Sequence, residues 1–124
     1  MLPSVPNLEN LRWHSRVFLI FAIDAEDRNL KQQTAITDAH APGFFERDTK
    51  VFSVVGHSAE AQRLRGKLGV GDAGFTVVLV GKDGSVKFKS DLPINTEKLF
   101  ATIDAMPMRQ DEMKRKNAKG ADPR

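Results

Sequence analysis

Two short apolar segments constrain this chain more than any other feature. Residues 17–23 form an unbroken run of seven apolar residues, and residues 75–80 are apolar except for one threonine. β-Branched and aromatic side chains in runs of this length predict strands that are buried on both faces. No apolar run approaches the roughly 18–20 residues that a membrane-spanning helix needs. The chain should therefore fold as an α/β protein, with helices covering both faces of a sheet.

Three helices are predicted around these strands. The second begins at the N-cap Ser58 and ends at a glycine in the expected left-handed C-cap position. The third begins at Asn95 or Thr96 and should end or kink at Pro107, with a further helical turn or two after the proline. The first covers residues 27–40, is expected to stop at the Ala-Pro-Gly sequence that follows, and has a thin apolar face: Leu30, Ala35, Ile36 and Ala39.

Two further strands complete the predicted sheet. Residues 51–55 are mostly apolar, whereas residues 85–90 alternate between polar and apolar side chains, which predicts a strand with one wet face. The Asp83-Gly84 sequence is a hairpin signal between the last two strands. The order is therefore β-α-β-α-β-β-α, a parallel unit followed by an antiparallel hairpin that the last helix covers. This order predicts a mixed four-stranded sheet with helices on both faces, which is the thioredoxin-like fold.

The net positive charge of the chain comes from its C-terminal end. Residues 1–108 carry 13 Lys or Arg and 13 Asp or Glu, whereas residues 109–124 carry six basic and three acidic residues, which is the whole net charge of +3. We divide the chain into a lead-in over residues 1–10, a thioredoxin-like domain over residues 11–108 and a basic C-terminal helix or tail. Because the domain is neutral and no aromatic residue accompanies the tail, we expect no nucleic-acid partner.

The absence of cysteine limits the chemistry. The chain contains none, which excludes disulfides, thiolate nucleophiles and iron–sulfur clusters in this chain. Thiol–disulfide exchange needs a thiolate, so we expect no catalytic residue and no cofactor. His14, His40 and His57 lack the i, i+4 spacing of a metal pair. We therefore interpret them as surface or capping residues and expect no metal site.

Two segments resemble redox proteins of this fold. Residues 69–86, with their Lys-Asp-Gly turn, resemble the strand and hairpin of thioredoxins and peroxiredoxins, and residues 17–24 resemble the strand that leads into their Cys-x-x-Cys motif. The resemblance places Ala25 and Arg28 near the two cysteine positions and Phe75 near the cis-proline. Because a cis bond before a residue other than proline costs about 2.5–4 kcal/mol, we expect a trans bond before Phe75.

A second resemblance covers about residues 8–115. It is carried by residues 11–13, 16–22, 74–84 and 103–113, and the last of these contains the sequence Met-Pro-Met-Arg-x-x-Glu-Met. These segments resemble a bacterial family of unknown function, related to the domain that sushi-repeat-containing and coiled-coil-domain secreted proteins share, the DUDES group. The resemblance implies a thioredoxin-like fold without a settled activity. No secretory signal is visible, so we expect a cytoplasmic protein; since family members are often exported, the alternative is a periplasmic or exported one.

Candidate binding residues lie at the strand ends. In open α/β sheets, ligands bind beyond the carboxyl ends of the strands. The acidic residues Asp24, Glu26 and Asp27 at this position either hold a metal, perform acid–base chemistry or only stabilise the start of a helix. We predict a non-catalytic binding or interaction module that uses the former active-site edge. Its candidate binding residues are Asp24, Arg28, His57, Gly74, Phe75 and Thr76.

Two alternatives remain. One is a divergent oxidoreductase relative that acts with a partner's thiols, and the other is a structural component of an assembly that uses the Met-rich C-terminal segment. The candidate interaction residues there are Met108, Arg109, Glu112 and Met113. We expect Arg109 to pair with Glu112 and to cap carbonyls at the end of the preceding helix, while the methionines either cover the core or contact a partner. Trp13 is likewise either a lid on the core or an exposed anchor. The sequence leaves the partner and the oligomeric state open.

Overall fold

The structure is a computed structural model that describes residues 7–71 and 74–120. The predicted thioredoxin-like order β-α-β-α-β-β-α is present, and one helix precedes it, one lies between its first helix and its second strand, and one follows it. The elements in order are α1 (Leu8–Leu11), β1 (Arg16–Ala22), α2 (Arg28–Asp38), α3 (Ala41–Glu46), β2 (Thr49–Val55), α4 (Ala59–Leu68), β3 (Thr76–Val80), β4 (Val86–Ser90), α5 (Thr96–Asp104) and α6 (Pro107–Gly120).

The four strands form one mixed sheet in the order β2-β1-β3-β4. β1 runs parallel to β2 and antiparallel to β3, and β3 and β4 form the predicted antiparallel hairpin. All seven residues of β1 are buried, because this strand is central and helices cover both of its faces. The continuous apolar pattern of residues 17–23 reflects this position.

A hydrophobic cluster lies on each face of the sheet. Successive side chains of β1 point alternately into the two clusters, as the twofold period of a strand requires. The first cluster joins the sheet to α2, α3 and α5, and its members include Phe18, Ile20, Ala22, Leu30, Phe44, Leu99 and Ile103. The second joins the sheet to α4, and its members include Val17, Leu19, Phe21, Val54, Leu64 and Leu68.

The segment after α2 differs from the expectation. The prediction that the Ala-Pro-Gly sequence only ends a helix is wrong: α2 ends at Asp38, and Pro42 lies in the first turn of α3, where its missing N–H is not needed. α3 directs Phe44 into the core, with ring centroids 6.1 Å from Phe18 and 4.9 Å from Phe100. Burial of this aromatic side chain explains why so short a helix forms here.

The predicted helix ends are largely confirmed. The Ser58 side chain accepts a hydrogen bond from the backbone of α4, and Gly69 adopts the left-handed conformation (φ +70°) after it. Asn95 is the N-cap of α5. α6 is longer than the predicted turn or two, with Pro107 at its first position. No helix within the described ranges is long and apolar enough to cross a membrane.

Candidate functional site

A shallow cleft lies between the end of β1 and the start of β3. It has two adjoining parts, of about 830 Å³ and 490 Å³, which share Asp27, Asn29 and Gly74. The first part is lined by Ile23, Asp24, Glu26, Asp27, Arg28, Asn29, Gln32 and Gly74. The second is lined by Asp27, Asn29, Gly71, Gly74, Phe75, Thr76 and Asp91. The fold therefore brings Asp24, Arg28, Gly74, Phe75 and Thr76 to one cleft.

The acidic residues of the cleft organise the start of α2. Asp27 is its N-cap, and its side chain accepts hydrogen bonds from the N–H groups of Asn29 and Leu30 at 2.8 and 3.1 Å. Asp24 accepts from the Glu26 N–H at 2.8 Å in the preceding turn. These contacts favour the helix-start interpretation of the cluster. Within the described ranges, no group of three or more potential ligands is placed to hold a metal.

The cleft has an excess of negative charge. Glu26 is paired with Lys31 at 2.6 Å, whereas the Arg28 guanidinium makes no ion pair or hydrogen bond with Asp24 or with any other residue that the structure describes. Asp91, on the opposite wall, accepts a hydrogen bond from the Thr76 hydroxyl at 3.2 Å. Among the described residues that line the cleft, Arg28 is thus an exposed cation beside the carboxylates of Asp24, Asp27 and Asp91.

Buried contacts hold both walls of the cleft. The Gly74–Phe75 peptide bond is trans, as predicted, and Phe75 is only 6% exposed because it packs into the first cluster. On the other side, the buried Arg65 of α4 donates to the Gly71 carbonyl at 2.8 Å and to the Ala22 carbonyl at 3.2 Å. The last residue of β1 and a loop that lines the cleft are therefore tied to the same helix.

His57 is the candidate that the structure does not place in the cleft. It follows Gly56, whose N–H donates to the Ala22 carbonyl at 2.9 Å, so it lies at the same end of the sheet. Its exposed side chain nevertheless lines neither part of the cleft. His14 and His40 are also exposed.

The C-terminal segment is held by charged side chains rather than by its methionines. Arg109 is 3% exposed; its Nε donates to Asp104 at 2.9 Å and its Nη2 donates to Glu46 at 3.1 Å. The predicted pair with Glu112 is present at 3.8 Å. The expectation that Arg109 caps the end of α5 is wrong, because the Gln110 amide donates to the Asp104 carbonyl instead.

Glu112 connects α6 to the start of β1 and to the β3–β4 hairpin. Arg16, which is fully buried, donates to both of its carboxylate oxygens at 3.1 Å, and Lys82 donates to it at 2.7 Å. Lys82 also contacts Asp48 at 2.9 Å. Burial opposes ionisation of Glu112, but the bonds from Arg16 and Lys82 outweigh it and lower the pKa of this carboxyl.

The neighbouring carboxylate Asp104 behaves in the same way. Burial raises its pKa, but the hydrogen bonds from Arg47 and Arg109 outweigh that effect and bring the pKa below its ordinary value. The Arg47 pair is bidentate, with both distances at 3.0 Å. α5, α6 and the end of α3 are therefore joined by ion pairs in which the cations Arg47 and Arg109 are largely buried and the carboxylates of Asp104 and Glu46 remain partly exposed.

The methionines divide between core and surface. Met106 packs against the first cluster, Met113 is half-buried and Met108 is 38% exposed. Trp13 is 56% exposed and has a left-handed backbone (φ 72°), so it is not a lid on the core. A cavity of about 310 Å³ lies between Trp13 and the start of α6, and its lining includes Met106, Pro107 and Met108.

These features can be compared with known proteins. Residues 7–112 match the family described as Domain of unknown function (DUF4174). The chain belongs to this family. No curated protein sequence matches the chain.

Solved structures that resemble this DUF4174 domain include peroxiredoxins. The reduced 2-Cys peroxiredoxin of Plasmodium vivax is 14% identical, with a TM-score of 0.66 over 86% of this chain and 85% of that one. Thioredoxin peroxidase I of Plasmodium yoelii is 14% identical, with a TM-score of 0.61 over 84% and 79%. AhpC of Mycobacterium tuberculosis is 13% identical, with a TM-score of 0.57 over 74% and 69%. At these identities the likeness shows the fold alone, which is the predicted thioredoxin-like one.

Sequence reasoning missed the buried cations of this DUF4174 domain. Arg16, Arg65 and Lys82 are all at most 9% exposed, although long charged residues are rarely buried. The burial of Arg16 could have been predicted from the sequence, because it directly precedes an apolar strand that is buried on both faces and its side chain therefore cannot easily reach solvent. Lys82 and Arg65 carry no such signal, since turns and amphipathic helices normally hold exposed cations.

Proposed function

We propose that this chain is a non-catalytic binding module whose ligand site is the cleft between β1 and β3. The observation that carries the proposal is that Asp24, Arg28, Gly74, Phe75 and Thr76, which are dispersed in the sequence, line one continuous cleft. The absence of cysteine supports a role in binding rather than thiol chemistry. His57 is left out of the site, because it lines neither part of the cleft.

The ligand that suits this cleft is a peptide segment with basic and apolar side chains. The carboxylates of Asp24, Asp27 and Asp91 give the cleft a negative potential, which attracts Lys or Arg. Leu92, directly after Asp91, is 67% exposed and offers an apolar contact beside the cleft. Arg28 supplies one cation for a backbone carbonyl or an acidic group of the same peptide.

Selection from a random peptide library tests this proposal. Peptides retained by the purified chain should be enriched in Lys and Arg, and their affinity should fall at least tenfold, about 1.4 kcal/mol, in Asp91→Asn and Arg28→Ala. Met108→Ala, on the distant surface, is the matched control and should bind normally. Peptides without basic enrichment, or peptides lost only in Met108→Ala, would contradict the proposal.

A role as an assembly component is the second candidate. It is supported by the exposed Trp13 and Met108 beside an apolar cavity, since aromatic and methionine side chains are common contact residues. In that case Met108→Ala would abolish partner binding and the cleft variants would retain it. An oxidoreductase role with a partner's thiols is supported only by the shared fold. A mixture with a thiol protein that shows no added disulfide reduction would dismiss it.

Relationship and compartment are also proposals. The Met-Pro-Met-Arg-x-x-Glu-Met sequence supports a bacterial source and a distant relationship with the DUDES group, and detection of shared ancestry between the two families would test this. We propose a cytoplasmic location, with export as the alternative. Fractionation of cells that express the natural gene distinguishes the two.

A further inference from the structure

The two edges of the sheet differ in their protection. The edge strand β4 carries the exposed Lys87 and Lys89 and has an irregular register with β3. Both features hinder pairing of β4 with a strand of another molecule. β2, at the other edge, has a regular register over all its seven residues and only one charge, Lys50. Its Val51 and Val55 are each 37% exposed. Among the residues that the structure describes, β2 is therefore the edge that is open to pairing.

The hydrogen bonds between β1 and β2 show which backbone groups are free. The Arg16 N–H donates to the Asp48 carbonyl at 2.8 Å, and the Gly56 N–H donates to the Ala22 carbonyl at 2.9 Å. In a parallel pair, alternate residues of a strand bond to the same neighbour. The even-numbered residues from 48 to 56 thus face β1. The backbone N–H and C=O groups that point away from the sheet belong to the odd-numbered residues Thr49, Val51, Ser53 and Val55.

The side chains of β2 alternate between the two faces of the sheet. Val51 lies beside Phe18 in the parallel register, so Val51, Ser53 and Val55 share the face covered by α3. Phe52 and Val54 lie on the opposite face, where both pack against the second cluster, and Lys50 shares that face. Any strand that pairs with β2 must match this alternation.

We propose that two copies of this chain pair antiparallel through their β2 edges, about a twofold axis at Ser53. This register places Val51 opposite the second copy's Val55 on one face. It places Val54 opposite Phe52 of that copy on the other face. Each of Val51, Ser53 and Val55 donates one hydrogen bond to the second copy and accepts one. The two sheets become one continuous sheet, and the interface is isologous, as a twofold dimer requires.

Charge separation selects this register over its neighbour. With the axis at Ser53, Lys50 lies opposite Gly56 of the second copy, so the two lysines are far apart. With the axis at Phe52, Lys50 would lie opposite Val54 and Val51 opposite Ser53, which sets a charge and a hydroxyl against apolar side chains. Cross-strand pairs of β-branched side chains stabilise a sheet, so the Ser53 register is favoured. The pairing uses no residue of the cleft and does not depend on the proposed function.

Light scattering after size-exclusion chromatography tests the edge. The parent chain should have twice the 13.8 kDa mass of one copy, and Val51→Lys should return it to the mass of one copy. Val86→Lys is the matched control, because Val86 is 38% exposed on the other edge strand, and it should remain dimeric. A monomeric parent at concentrations up to about 1 mM, a dimeric Val51→Lys or a monomeric Val86→Lys would overturn the proposal.

A cysteine introduced into this cysteine-free chain tests the register. The Cα atoms of a hydrogen-bonded antiparallel pair are about 5.5 Å apart, which a disulfide can span. Ser53→Cys should therefore form a cross-linked dimer under mild oxidation, whereas Lys50→Cys should remain a free thiol. Cross-linking of Phe52→Cys in preference to Ser53→Cys would overturn the Ser53 register. Efficient cross-linking of Lys50→Cys would overturn it as well, because the two copies of residue 50 lie far apart in that register.

Discussion

Replacement of Glu112 should unfold this domain more readily than any comparable change on the same helix. Glu112→Gln keeps the size of the side chain but removes the charge that faces Arg16 and Lys82. Lys82 retains Asp48, whereas the fully buried Arg16 loses the negative charge of its partner and keeps neutral acceptors, the Arg47 carbonyl and the introduced amide oxygen. The loss of stability should therefore come mainly from the buried guanidinium of Arg16, whose positive charge is no longer balanced.

The expected magnitude follows from this geometry. Removal of one partner from a buried ion pair costs about 3–5 kcal/mol. The Glu112 side chain is 14% exposed and Lys82 keeps a partner, so we expect the lower end, about 3 kcal/mol. For a domain of this size, each kcal/mol shifts the melting temperature by about 3–6 °C. Glu112→Gln should therefore melt about 9–18 °C below the parent chain.

Circular dichroism melts at pH 7 provide the measurement. Asp111→Asn is the matched control, because Asp111 is an exposed carboxylate on the same helix, and it should change stability by no more than about 0.5 kcal/mol. Adding Arg16→Met to Glu112→Gln should raise the melting temperature again, since the unpaired buried charge is gone. If Glu112→Gln and Asp111→Asn have the same melting temperature, the ion pairs do not hold α6 in place and the reasoning is refuted.

Three further predictions concern pH, packing and redox activity. In the folded protein, the pKa values of Glu112 and Asp104 lie below their ordinary values of 4.5 and 3.8. Their contribution to stability should therefore be complete above about pH 5 and be lost as the pH falls through the lowered values. Urea unfolding between pH 7 and 3 measures this pH dependence, and a free energy of unfolding that does not change with pH would contradict the prediction. Met108→Ala should leave the melting temperature unchanged, whereas Met113→Ala should lower it by a few degrees because Met113 is half-buried. Thermal melts of the two variants measure this difference, and an equal fall in melting temperature in both would place Met108 in the core. The purified chain should not reduce insulin disulfides or turn over peroxide, since it has no thiol, and activity above that of a heat-inactivated sample would disprove this.

Local patterns were sufficient for the order of the core strands and helices and for most helix ends, but they did not reveal α1 or α3. Residues 17–23 can be buried on both faces only in a central strand, and Ser58 and Gly69 satisfy the helix-end groups next to them in the chain. These features depend on near neighbours or on one periodicity, so the sequence contains the required information. The same holds for most of the cleft, because strand ends in an α/β sheet meet at one edge. The rule does not settle which side chains line the cleft, since His57 lies at that edge but lines neither part of it.

The buried face of α2 shows where local patterns fail. The sequence predicts a face that includes Ala35 and Ala39, but both are exposed, and the buried residues are Leu30, Gln33 and Thr37. Gln33 is fully buried because its amide exchanges two hydrogen bonds with the backbone of Ile94, at 3.0 and 2.8 Å. Only a partner 61 positions away can make a buried amide acceptable, and no pattern near Gln33 reveals it.

The sequence by itself determined that this chain forms a cysteine-free mixed sheet covered by helices, because hydrophobic periodicity and caps act over a few residues. The tertiary structure alone decided which charges are removed from water. Glu112 and Arg16 are 96 positions apart, and each is acceptable in its place only because the other is there. Such pairing depends on where distant segments meet in the fold. The spacing of Arg109 and Glu112 was therefore enough to predict that they contact each other, but not to predict their other partners.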